Sequence, residues 1–191
     1  MIASSVARAL AVVVVVAACA PLPPAPESSA VDRAALAAPF SAEGRLSARR
    51  GNEGIAGQFA WQHESAHDRI DLTTPLGQTI ARLAGGPDGV RIETGNGRVD
   101  TAQDWDTLTA RAFGLTLPVT GLSAWLRGLA RDGSRYTTER DAHDRPVLLR
   151  QDGWEVTYAY ADDDANRASR LVLRYPGVEP IEVRLVVDRW Q

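Results

Sequence analysis

Polar and apolar residues alternate along most of this chain, the two-residue period of strands that bury one face. Phe40 to Arg49 is one such run, weakened at Gly44. A turn at Gly51-Asn52-Glu53-Gly54 leads into Gly57 to Gln62, where Phe59 and Trp61 share a face. His63 to Asp68 is polar and reads as the next turn. Ile70-Asp71-Leu72 and Thr79 to Leu83 then make a hairpin around Thr74-Pro75-Leu76-Gly77. After a break at Gly85 to Gly89, Val90 to Thr94 alternates again, and Asn96-Gly97 is a tight-turn pair.

The middle of the chain changes period. Asp100 or Thr101 is placed to cap a helix with Trp105, Leu108, Ala112 and Phe113 on one side, closing near Gly114. Beyond Pro118, Leu122, Trp125, Leu126 and Leu129 follow i, i+3, i+4, i+7 and predict a second helix. Val31 to Ala38, ending before Pro39, predicts a short first one. Strands return at Tyr136 to Arg140 and Val147 to Gln151, then at the single-faced set Trp154, Val156, Tyr158 and Tyr160. A turn at Asp162 to Asn166 leads to Leu171, Leu173 and Tyr175, and Pro176-Gly177 to Ile181, Val183, Leu185 and Val187, ending near Trp190. Strands about ten residues apart, with two helices between two strand sets, predict an antiparallel sheet or barrel covered by helices.

The predicted inner face carries Phe59, Trp61, Ile70, Leu72, Trp154, Val156, Tyr158, Leu171, Leu173, Ile181, Val183, Leu185 and Val187. Two interiors fit this list: a packed sandwich core, or a curved sheet left open with the helices as a lid over an apolar cavity. Periodicity does not separate a filled interior from a hollow one. The hairpin tip is also open to two readings. Pro75 and Gly77 suit the second and fourth positions of a turn, which puts Leu76 on the tip, where a polar residue is usual. Leu76 is either a lone exposed or folded-back side chain, or a small apolar probe that enters a membrane or partner.

The first residues change the picture from soluble to anchored. Residues 1–18 combine Arg8, an apolar run from Ala9 to Val16 and small residues, the make-up of a secretory signal too short to span a bilayer. Val16-Ala17-Ala18-Cys19 resembles a bacterial lipobox, which implies a diacylated Cys19 and export; Ala20 after it implies an outer-membrane destination. Residues 19–30, proline-rich around Ala20 to Ser29, read as a flexible tether, leaving 31–191 as a single domain. Cys19 is the one cysteine, so no internal disulfide forms and the core must hold the domain together.

Composition narrows the chemistry. The formal net charge is −3, every basic residue is arginine, and no basic cluster or RNA-type aromatic motif occurs, which argues against nucleic acid. His63 and His67 lie in a predicted turn without a third ligand, Asp162-Asp163-Asp164 lacks the glycine and glutamate of a calcium loop, and Gly51 to Gly57 has the wrong spacing for a phosphate loop. No nucleophile, base and acid assemble around His143, so no active site, metal or cofactor is expected.

Five fragments in order resemble the outer-membrane lipoprotein LolB family: Gly57 to Trp61, Thr74 to Thr79, Leu117 to Leu122 with Trp125 to Gly128, Gly153 to Tyr158, and Val187 to Trp190. The resemblance runs from about Phe40 to the C-terminus. It implies a mainly β fold with α: a curved, incompletely closed antiparallel β-barrel covered by a helical lid, with an apolar cavity between them. It implies a monomeric, non-enzymatic receptor, anchored by the Cys19 lipid and facing the periplasm. Such a receptor accepts acylated lipoprotein cargo from the carrier LolA and delivers it into outer-membrane lipid. Residues expected to hold the acyl chains are Phe59, Trp61, Ile70, Leu72, Leu122, Trp125, Leu126, Leu129, Trp154, Val156, Tyr158, Leu171, Leu173, Val183 and Leu185. The family's delivery loop falls on Pro75, Leu76 and Gly77. A lipid-processing hydrolase or a purely structural envelope lipoprotein are the competing expectations.

Overall fold

The structure, a computed structural model, describes residues 31–114, 116–162 and 165–191. Among these, eleven strands form one antiparallel sheet. They are β1 (Phe40–Arg50), β2 (Glu53–Glu64), β3 (His67–Thr73), β4 (Thr79–Gly86), β5 (Gly89–Thr94), β6 (Val99–Ala102), β7 (Tyr136–Arg140), β8 (Pro146–Gln151), β9 (Trp154–Ala159), β10 (Arg170–Tyr175) and β11 (Ile181–Trp190). Their order is β6-β5-β4-β3-β2-β1-β11-β10-β9-β8-β7, so the first and last strands of the chain meet in the middle and β6 and β7 stay as open edges. The barrel is unclosed, as expected. The pairing of β1 with β11 shifts by one residue between Glu43 and Gly44, skipping Asp188, and a bulge of this kind bends the strand pair. A side chain at Gly44 would run into the Val186 carbonyl at 1.9 Å, so the backbones approach there only because the position is glycine.

Three helices pack on the concave face: α1 (Arg33–Ala37), α2 (Trp105–Phe113) and α3 (Val119–Trp125). The cap of α2 is Asp104, whose carboxylate accepts from the Thr107 amide at 2.7 Å, and not Asp100 or Thr101, which belong to strand β6. Gly114 closes α2 in the left-handed conformation at φ 71°. The second predicted helix is shorter than its periodicity implies. It ends at Trp125, and Leu129 lies beyond it, just after a turn, half-buried against the core. Gly128, at φ 75°, marks that turn. The predicted turn from His63 to Asp68 also contracts. His63 ends β2 and Asp68 lies within β3, leaving Ser65 and Ala66 as the bend. The alternation continues through the polar residues because both side chains are satisfied inside the fold, which a polarity pattern does not reveal.

Candidate functional site

The concave face begins with the strand pattern. Phe59 and Trp61 of β2, Ile70 and Leu72 of β3, Val156 and Tyr158 of β9, Leu171 and Leu173 of β10 and Val183 and Leu185 of β11 all point inward and are buried. From α3 and the turn after it, Leu122, Trp125 and Leu126 are buried against them. They form one continuous apolar cluster, so both arms of the sheet wrap a shared interior. Of the fifteen residues expected to hold acyl chains, Trp125 and Trp154 also border an open cavity of about 580 Å³. That volume falls within the roughly 300–1,000 Å³ of ligand pockets.

This cavity lies at the seam between helices and sheet. Its walls include Trp105 from α2, Pro118 and Gly121 at the start of α3, and Tyr175 and Ile181 from β10 and β11. Gly121 is packed under the Trp125 indole, where an added Cβ would come within 2.6 Å of the ring. Trp154 sits between Trp125 and Tyr175, with ring centroids at 6.1 Å and 5.3 Å. The Trp125 indole is fixed from behind, since its Nε1 donates to Gln151 Oε1 at 2.8 Å. Gln151 in turn holds the Arg131 backbone, accepting from its amide at 2.9 Å and donating to its carbonyl at 2.8 Å. Polar groups stand at the rim: Asp104, Asp106, Arg131 and Asp152. Burial first, then the neighbouring Asp104 charge, push the Asp106 carboxyl above its ordinary range, with Arg131 opposing.

Inside the apolar cluster one polar atom stands out. The Tyr158 hydroxyl is buried and has no hydrogen-bond partner among the described residues. Burial pushes its ionisation well above that of an ordinary phenol, so the site holds it as a neutral O–H. Leaving such a donor unpaired costs about 1–3 kcal/mol, and a ligand carbonyl would relieve that cost.

A second polar group, which the sequence reading did not place at the site, holds the helices down. His63 Nδ1 is 2.9 Å from Asp68 Oδ1, and the same oxygen accepts from Trp61 Nε1 at 2.7 Å. Ser123 Oγ of α3 lies 3.2 Å from His63 Nδ1, and His63 Nε2 lies 3.1 Å from the Leu36 carbonyl of α1. Arg127 donates to the Ala35, Leu36 and Ala38 carbonyls and lies 4.9 Å over the Phe40 ring. These buried and half-buried groups clamp α1 and α3 to the sheet. Among the described residues no group of three metal-ligating side chains forms.

Leu76 is at the hairpin tip that its neighbours predict. The Gly77 amide donates to the Thr74 carbonyl at 2.9 Å, closing the turn across Pro75 and Leu76, and Gly77 takes φ 80°. The leucine is 89% exposed, so it does not fold back. Cys19, the signal segment and the linker lie outside the described residues, as do Asp163 and Asp164 of the acidic turn.

An open antiparallel sheet whose concave apolar face is roofed by short helices, with a cavity at the seam, defines a class of unclosed barrels built around an apolar interior. A structure of a DUF1329 family protein from Desulfovibrio piger shares this fold, with a TM-score of 0.53 over 83% of this chain and 88% of that one, at 7% identity. The particular family follows from sequence: the model of the outer membrane lipoprotein LolB matches residues 38–190, and the chain belongs to that family. Outer-membrane lipoprotein LolB of Cupriavidus metallidurans is 38% identical over 90% of this chain and 89% of its own length. That of Thiobacillus denitrificans is 36% identical over 91% and 90%.

Proposed function

We propose that this outer-membrane lipoprotein is a localisation receptor that takes acylated lipoproteins from the periplasmic carrier LolA and delivers them into the outer membrane. The observation that carries this reading is the seam cavity of about 580 Å³, walled by Trp105, Trp125, Trp154, Tyr175 and Ile181, of which the three tryptophans belong to the apolar core. Burying an acyl chain is worth about 0.8 kcal/mol per methylene, so a lipidated cargo does not cross water unaided. A handover from one apolar cavity to another avoids that exposure, and a modest difference in affinity sets its direction. The chains enter at the seam and displace the helices outward from the packed concave face. Cys19 carries the covalent lipid that keeps the receptor at the membrane, no other cofactor takes part, and no catalytic step is needed. Leu76 acts after cargo is bound, at the membrane.

The second reading, a structural envelope lipoprotein with a filled core, draws on the tight burial of the concave residues away from the seam. The two part in one experiment. The full chain in phospholipid vesicles is mixed with a fluorescent lipoprotein held by its soluble carrier. Cargo should leave the carrier and co-float with the vesicles, whereas Leu76→Glu should strip the carrier normally but incorporate about tenfold less. Cargo that stays on the carrier in the presence of the wild-type chain contradicts the receptor reading.

A further inference from the structure

The register places the Leu76 turn at the same end of the sheet as four others, those around Gly51-Asn52, Gly95 to Arg98, Asp152-Gly153 and Pro176 to Pro180. Thr73 pairs with Gln58 and Thr79, Ala81 with Thr94, Arg50 with both Glu53 and Ile181, and Tyr175 with Ile181. The described residues expose four large apolar side chains, Leu76, Val99, Tyr175 and Val178, and all four sit in or beside these turns. Val178 is the most exposed, at 103%, on the five-residue loop between β10 and β11. Pro176 and Pro180 frame that loop and limit its freedom to fold the valine back. Arg50 Nε, 3.4 Å from Glu179 Oε2, ties the loop to β1.

From this we infer that Val178 is a second membrane-inserting tip, and that the turn end of the sheet docks on the lipid bilayer through Val178 and Leu76 together. The inference rests on the receptor reading and adds a second contact and an orientation to it. The two hairpins stand four strand positions apart, roughly 19 Å at the usual strand spacing, with the polar Gly51-Asn52 turn between them. Two separate small apolar tips with polar residues between them offer no continuous patch for a protein partner, whereas a fluid bilayer receives each independently. The loop that bears Val178 is rooted in Tyr175 and Ile181, which wall the seam cavity. Seating Val178 in the bilayer therefore brings the cavity wall to the lipid surface, and chains leaving the cavity have a short apolar route.

The test uses the full chain in vesicles of phosphatidylethanolamine and phosphatidylglycerol. An environment-sensitive dye on Val178→Cys should be quenched by nitroxide-bearing lipid, as should the dye on Leu76→Cys, while the dye on Asn52→Cys should be quenched far less. Wild-type chain labelled in parallel reports any dye taken by Cys19. In the delivery assay, Val178→Glu should accept cargo at the normal rate and incorporate it about tenfold less, with Asn52→Glu unchanged. Quenching at Leu76→Cys alone overturns the second tip and leaves the receptor reading intact. A dye at Val178→Cys that responds to added carrier and not to lipid makes the loop a protein contact and overturns the proposal. Loss of cargo acceptance in the wild-type chain, with both dyes quenched, removes the receptor reading and leaves the docking surface standing.

Discussion

The two ends of the sheet are built on opposite principles. At one end, buried and half-buried polar groups cross-tie the elements: Asp68 joins Trp61 and His63, Arg127 gathers the Ala35 and Leu36 carbonyls of α1 and that of its cap Ala38, and the Trp190 indole donates to the Ala168 carbonyl at 3.2 Å under Arg167. Arg145 there pairs with Asp141 at 2.7 Å and lies 4.3 Å over the Tyr160 ring. At the other end, the turns expose apolar side chains, and the ion pairs among them, such as Arg50 with Glu53 and Glu179, are open to water and worth little. Removing a buried partner strands a polar group, whereas changing an exposed tip strands nothing. Apart from the Gln151 network beside the Asp152-Gly153 turn, the polar cross-ties gather at one end, and the exposed apolar side chains gather at the other.

Substitutions should sort by end. Asp68→Ala leaves the Trp61 N–H and the His63 ring without their buried acceptor, and urea unfolding should show a loss of about 3–5 kcal/mol. Where Gln151 closes β8 at the turn end, Trp125→Phe removes the 2.8 Å bond to Gln151 and part of a buried ring, for about 1–3 kcal/mol by the same measurement. At the tips, Leu76→Glu should move the unfolding free energy by less than about 0.5 kcal/mol while impairing delivery. A loss above that would mean the tip packs on something and the ends are not distinct.

The smallest effect is electrostatic and belongs to the tied end. The Arg145 guanidinium, then the backbone amides of Arg145 and His143, hold the Asp141 carboxyl from an ordinary 3.8 down to about 2. A carboxylate depressed on folding adds stability above its unfolded value and loses it as pH falls through the folded one. Wild type should therefore lead Asp141→Asn in thermal midpoint at neutral pH, and the gap should close as pH falls from about 4 to about 2. A gap that widens on acidification would contradict the pairing.

Much of this was legible in the chain. Alternation located the strands because one face of the sheet is mostly apolar, and Thr74-Pro75-Leu76-Gly77 specified both its turn and its exposed tip. Helix ends were less legible. Asp104 competes with Asp100 and Thr101 as a cap, and only the pairing of β6 with β5 settles which residues are strand. Leu129 continues a helical period, yet Gly128 turns the chain first. The His63, Asp68, Ser123 and Arg127 clamp joins residues far apart in sequence, so polarity alone made His63 look like a surface turn. Val178 was hidden by its neighbours: Pro176-Gly177 announced a turn, and nothing in the local pattern says which side chain of a turn projects. Tyr175 and Ile181 joined the cavity wall through strand pairing across the same hairpin.

The central claim is that the apolar interior admits acyl chains through the seam, and tryptophan fluorescence tests it directly, because Trp105, Trp125 and Trp154 line the opening. Titrating the chain with brominated palmitate should quench its emission saturably, and Trp154→Phe should remove a substantial share of the quenched signal. Emission that does not change, or falls linearly without saturation, would show that the interior is closed to alkyl chains.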